Sequence, residues 1–356
     1  MLKKSSYLIV VLFLVSSFAA KAQSLEETLS ELSSTAGKAY VAPVISAFGS
    51  NLNSGWVSKI PSATKVGFHL DLKIAAMGSF FSDENKTFVT TGKFFFTSSQ
   101  VDQILAASGI SSSNSQYTAI KNEVLKTNLD VNFSGPTIVG SKNEYLKINF
   151  PGKTIQVQNQ NVTLSKTDFS ITEVKGFLDE LPVFPTAAPQ LTLGTVMGTN
   201  VSFRYLPDVE IEDMGKFTFF GVGFIHNPGV WFPNPLPVDL GIGYFTQKMK
   251  VGDVFESTAN QFGFYVSRTF GMVISITPYA GLISENSKTT VSYDYQSNET
   301  VNGVQVPKAK MSFELEGENT TGFVVGFSLH LAAININADY KVAKTKTASA
   351  GVSFGF

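Results

Sequence analysis

The sequence predicts an all-β transmembrane β-barrel of about twelve antiparallel strands (ten to fourteen), with an N-terminal helical segment and a small helical insertion. Three observations predict it. Charged residues are only 15% of the chain, well below the roughly 25% usual in soluble domains. Apolar residues reach 43%, yet outside the N-terminus no apolar run approaches the roughly 18 residues of a spanning helix. Strict alternation of apolar and polar side chains then recurs over segments long enough to cross a bilayer as tilted strands.

Taken in order, residues 1–22 join a basic start (Lys3, Lys4), an apolar stretch from Tyr7 to Val15 and an Ala20-Lys21-Ala22 cleavage pattern before Gln23. That is the pattern of a secretory signal peptide, and its apolar stretch is too short to span a membrane. Losing its three lysines lowers the formal charge from −1 to −4. No basic stripe remains to bind nucleic acid. The absence of cysteine excludes disulfides and a cysteine-borne lipid anchor.

Residues 23–64 form an N-terminal segment. Its start is helical, with Leu25, Leu29 and Leu32 on one face and Glu26, Glu27 and Glu31 early, where a helix dipole favours carboxylates. Pro43 and the run GSNLNSG at 49–55 are expected to break it. The segment reads as a plug folded into the lumen or as a periplasmic helix packed beneath the barrel. Residues 65–356 form the barrel, with strands expected at 66–81, 86–97, 128–149, 153–165, 190–205, 215–226, 236–249, 259–269, 271–296, 305–331, 334–344 and 347–356. Between them, SSQVDQILAAS at 98–108 and a second patch near 119–126 read as helices of a periplasmic or lumenal insertion near 98–128.

The alternation is plainest at the C-terminus. Ala348, Ala350, Val352, Phe354 and Phe356 hold one phase, with small or polar residues between them. Phe354 and Phe356 are the expected lipid-facing signal read by barrel-assembly machinery, which is one expected partner. Upstream, Ile334, Ile336, Ala338, Tyr340 and Val342 alternate with Asn335, Asn337, Asp339 and Lys341. Between 309 and 331 the odd positions Met311, Phe313, Leu315, Phe323, Val325, Phe327, Leu329 and Leu331 hold one apolar phase and the even ones are largely polar, over a length of roughly 75 Å if extended, too long for an ordinary soluble strand. The same phase logic places His69, Asp71, Lys73, Arg204, Glu314, Glu316, His330, Asp339 and Lys341 on the lumen face, where such groups tune selectivity or pack and pair a narrow interior.

The segments PQLTLGTVMGTNVSFRYLP (189–207), GVGFIHNPGVWFP (221–233) and PYAGL (278–282) together resemble an uncharacterised family of Bacteroidota outer-membrane barrels. The resemblance implies an outer-membrane location in a Gram-negative cell and a turn built on His226, Asn227 and Trp231. Where such families usually carry His-Asp, this chain has His226-Asn227, which removes a charge from that pair. A helical N-terminus ahead of a barrel is also similar, more remotely, to long-chain fatty-acid channels of the outer membrane.

Catalytic and metal chemistry find little footing. The three histidines lie in different elements with no metal-ligand spacing, and no G-x-S-x-G occurs. No enzyme, cofactor or metal is expected. Two functions stay open: a narrow channel for small or hydrophobic molecules, and a non-transporting anchor whose parts bind partner proteins or lipopolysaccharide. In the second, Asp208, Glu210, Glu212 and Asp213 could hold cations that bridge lipopolysaccharide phosphates. A monomer bedded in outer-membrane lipid is expected in both, and a soluble exported β-protein is the remaining alternative.

Overall fold

The computed structural model describes residues 34–179, 181–211, 215–295, 300–301, 304–305 and 309–355. The expected signal peptide, the start of the N-terminal helix and Phe356 lie outside them. The described chain divides into two compact units, Val44–Phe81 with Pro182–Phe356, and Ser24–Pro43 with Ser82–Leu181.

In chain order the elements are α1 (Ser34–Leu52), β1 (Val66–Phe80), β2 (Thr87–Phe94), α2 (Ser98–Ala107), α3 (Tyr117–Lys126), β3 (Leu129–Pro136), β4 (Leu146–Phe150), β5 (Lys153–Val157), β6 (Gln160–Leu164), β7 (Thr167–Ile171), β8 (Val183–Val196), β9 (Thr199–Ile211), β10 (Gly215–His226), β11 (Asp239–Val251), β12 (Phe255–Ser267), β13 (Phe270–Gly271), β14 (Ile274–Tyr295), β15 (Thr300–Val301), β16 (Val304–Gln305), β17 (Ala309–Glu316), β18 (Thr321–Leu331), β19 (Ile334–Val342) and β20 (Thr347–Gly355).

The first unit is a closed antiparallel barrel of ten strands, with β13 and β17 attached outside the ring. Each wall strand pairs with its neighbour in sequence, and β1 closes the ring against β20, from Asp71 opposite Gly355 to Ser79 opposite Thr347. Closure leaves no open sheet edge. The expectation of about twelve strands is met at the lower end of its range. The segments expected as wall at 86–97, 128–149 and 153–165 instead belong to the second unit.

The wall is inverted relative to a soluble sheet. Along β1, Asp71, Lys73 and Ser79 are buried while Leu72 and Ile74 between them are more than half exposed. Phe68, Tyr205, Phe220, Phe264, Leu282, Val352 and Phe354 likewise point away from the lumen with large exposed areas. The second unit shows the opposite sense. In β3, Leu129, Val131 and Phe133 are buried and Asp130 and Asn132 exposed. Its four-stranded sheet runs β2-β3-β4-β7, β5 and β6 form a hairpin, and Phe96 meets the Phe150 and Phe169 rings at 5.6 and 5.2 Å. Helix α2 starts on Thr97 through a capping box in which Gln100 Oε1 accepts from Thr97 N at 2.9 Å.

Two further expectations are corrected. Helix α1 runs through Pro43 and on to Leu52. The proline removes one backbone donor but does not end the helix, which stops at Leu52, inside the Gly/Ser/Asn run expected to break it. The apolar phase also does not hold from 309 to 331. Lys288 of β14 faces Glu316, and Ser284 faces Thr321, so four steps on β14 oppose five on the other side. One extra residue in 317–320 acts as a bulge and exchanges the two faces of the strand. Phe313 is therefore buried, while Glu314 and Glu316 are exposed.

Candidate functional site

The interior of the barrel holds its own N-terminal segment. Every residue from Ile45 to Val57 is buried, including Ser46, Ser50, Asn51, Asn53 and Ser54. Small side chains allow that fit. A Cβ built on Gly49 would lie 1.9 Å from Ser287 Oγ, so the helix touches β14 at a point where only glycine fits.

Polar backbone drives the arrangement. The last carbonyls of a helix have no partner within it and carry the negative end of its dipole. In α1 and the turn after it, three cations from three wall strands supply partners. Lys341 Nζ donates to Ser50 O at 2.9 Å. Arg204 donates from Nη1 to Leu52 O at 3.3 Å and from Nη2 to Ser54 O at 2.9 Å. Lys73 Nζ donates to Gly55 O at 2.7 Å and to Ser58 Oγ at 2.9 Å. Neutral groups complete the set: Gln247 donates to Leu52 O, Gln190 to Trp56 O at 3.0 Å and Tyr279 to Val57 O at 3.2 Å.

Two of these cations have further partners in the wall and the plug. Lys341 Nζ sits 2.9 Å from both oxygens of Glu285, and both side chains are 1% exposed. Arg204 Nε donates to Gln190 Oε1 at 3.0 Å, and its guanidinium lies 3.9 Å from the centroid of the Trp56 ring. Trp56 in turn stacks on Phe245 at 5.1 Å, within an apolar cluster that includes Ile60, Tyr265 and Val324. Asp339 accepts from the Tyr279 hydroxyl at 2.9 Å, and Asp71 from Ser353 Oγ at 2.6 Å.

Of the residues expected in the lumen, Asp71, Lys73, Arg204, Asp339 and Lys341 thus meet around the plug. His69 and His330 line a small cavity beside Trp56–Lys59, together with Asp71, Asn335 and the apolar Ile225 and Phe245. Glu314 and Glu316 do not belong to this set, and Glu314 pairs with Lys288 on the exposed face at 2.8 Å. Phe354 faces outward and is 61% exposed. Asp208 pairs with Lys216 at 2.6 Å, and Glu212 and Asp213 lie outside the described residues. Among the described residues no group of three or more carboxylates and histidines is placed to hold a metal ion.

The expected turn is also a plug contact. Asn227 is buried, and its Nδ2 donates to Pro61 O at 2.8 Å and to Asp239 Oδ1 at 3.0 Å, while its Oδ1 accepts from Gly229 N at 2.9 Å. An aspartate could not donate either of the first two bonds. His226 Nε2 accepts from Trp231 Nε1 at 3.1 Å, so Nδ1 carries the proton and donates to Thr199 Oγ1 at 2.9 Å. Sequence reading missed Gln190, Gln247, Tyr279 and Glu285. Their inward phase was legible, but their partner, an internal helix end, was not.

A model of a family of unknown function (DUF6588) matches residues 1–356. The chain belongs to the DUF6588 family. Among curated proteins none matches it. Solved structures similar to this DUF6588 chain include a loop-deletion mutant of OmpT, an outer membrane protein of Vibrio cholerae, at 9% identity over 82% of this chain and 98% of that one, TM-score 0.22. The β domain of the Bordetella autotransporter BrkA is 10% identical over 80% and 99% of the two chains, TM-score 0.19. An anion-selective porin from Comamonas acidovorans is 9% identical over 81% and 98%, TM-score 0.16.

Proposed function

We propose that this DUF6588 protein is an outer-membrane barrel sealed by its own N-terminal segment, acting as an anchor rather than as an open channel. The inverted wall supports the membrane part of the reading. A surface carrying Phe68, Phe220, Phe264, Val352 and Phe354 suits lipid, and a closed sheet satisfies the backbone there.

The observation that carries the anchor reading is the bonding of Ser50, Leu52, Ser54 and Gly55 carbonyls to Lys341, Arg204 and Lys73. Expelling the plug would leave three buried cations facing an emptied lumen and strand the helix-end carbonyls. Each charge-assisted bond contributes about 1.5–3 kcal/mol. A plug held this way is part of the barrel's core rather than a gate. What the barrel holds in the membrane is then the 82–181 module, whose buried apolar faces are those of a domain made for water.

Conductance of the refolded protein in planar bilayers tests this. No current above the lipid baseline is expected. Steady ion flow through the unaltered protein would overturn the anchor reading and restore the channel.

A further inference from the structure

We infer that residues 34–43 and the module at 82–181 are displayed on the outer face of the cell, the plug crossing the lumen from outside to inside. This rests on the membrane-barrel reading above and adds a direction to it.

The direction comes from the two ends of the barrel. One end carries the two-residue turns Met197–Gly198 and Ala332–Ala333, the longer connection from His226 to Asp239, and the end of β20, where Gly355 N donates to Ala333 O at 2.9 Å. The other carries the long β14–β17 connection and the point where the chain leaves the wall at Phe81 and returns at Pro182, Phe81 N donating to Pro182 O at 3.1 Å. Outer-membrane barrels keep short turns in the periplasm and long connections outside. The module at 82–181 therefore emerges on the outer side. Counting 86–97 as a wall strand would invert that parity, which is why the sequence suggested a periplasmic or lumenal insertion.

The plug runs between the same two ends. Phe48 packs against Phe184 at 6.3 Å and Phe255 at 5.3 Å, at the outer starts of β8 and β12. Further along, Asn227 binds Pro61 O at 2.8 Å, and Gly198 N donates to Thr64 O at 2.9 Å, at the short-turn end. Chain direction is thus outside at Val44 and periplasmic at Thr64. Residues 34–43 thus lie across the membrane from the end of β20.

The chain contains no cysteine, so single introduced thiols report cleanly. T35C, S112C and N234C each replace an exposed residue, the last in the connection after His226. Intact cells are treated with a membrane-impermeant maleimide, then again after permeabilisation. T35C and S112C are expected to label fully on intact cells, and N234C only after permeabilisation. The reverse pattern would overturn the direction while leaving the barrel in the membrane. Labelling of S112C without T35C on intact cells would overturn the threading of the plug. Recovery of the protein in the soluble fraction would instead sink the membrane-barrel reading, and this inference with it.

Discussion

The guanidinium of Arg204 lies 3.9 Å from the centre of the Trp56 ring while its Nη2 donates to the Ser54 carbonyl at 2.9 Å. One side chain of the wall thus holds both the backbone and an aromatic ring of the plug. With Arg204 fully buried, R204A should destabilise the barrel by about 3–5 kcal/mol, since carbonyls and Gln190 lose their donor together. R204K keeps the charge but loses the planar stack, and should fall between. Denaturant midpoints in detergent, read by heat-modifiable gel mobility, check both.

Lys341 and Glu285 form a pair of the same depth. Removing either alone, in K341M or E285Q, should cost about 3–5 kcal/mol, and the double variant clearly less than the sum. A double-mutant cycle by equilibrium unfolding gives the coupling. E314A serves as the contrast. Its partner Lys288 is half exposed, and the change should stay within about 0.5 kcal/mol.

Gly49 and Ser287 leave no room between them. G49A should destabilise the barrel by about 1–3 kcal/mol, because its Cβ would fall 1.9 Å from Ser287 Oγ and 2.6 Å from Ser287 Cβ. Adding S287G should restore most of the loss, as removing only the hydroxyl would not. Unfolding midpoints of the single and double variants decide this.

N227D changes no shape but removes two donated bonds, to Pro61 O and Asp239, and sets two carboxylates side by side. A loss of about 2–3 kcal/mol is expected, with partial recovery at acid pH as a proton returns a donor. Stability of N227D against pH, compared with the unaltered protein, is the measurement.

Asp102 joins helices α2 and α3, accepting from Lys121 Nζ at 2.6 Å and from the Tyr117 hydroxyl at 2.6 Å. Lys121 first, then Tyr117, hold its carboxyl below the ordinary carboxylate range. A carboxyl depressed in the folded state contributes stability that is full above its unfolded value, about 3.9, and is lost as pH falls through the folded value. The protection of the α2 and α3 amides against hydrogen exchange, corrected for the intrinsic rate at each pH, should therefore fall below about pH 4. D102N should show no such acid step.

Much of the wall could be read from residues alone. Alternation in Leu72, Ile74 and Lys73, or in Ile334, Asn335 and Ile336, fixes strand and face, because a period of two has only one geometry. Periodicity does not say which face meets water. Phe94 and Val131 alternate as regularly as Ile74, yet they pack inside the second unit, so 86–97 and 128–149 read as wall. Glu314 went to the wrong face because one bulge residue leaves no mark in the pattern. Pro43 suggested a helix end, since the helix around it is stabilised by contacts remote in sequence, such as Lys341 with Ser50 O. The role of the lumenal cations was hidden for the same reason.

The first and last strands of the wall meet where the plug touches both. Ser79 Oγ donates to Asn51 Oδ1 at 2.7 Å, Ser50 Oγ lies 2.6 Å from Thr347 Oγ1, and Ser79 and Thr347 lie 2.7 Å apart. A ribosome makes Ser50 and Asn51 before any wall strand and Thr347 after all the others. The plug, made before the wall, therefore carries the clasp for the seam that can form only last, and the cylinder has a guide for joining its ends already inside it.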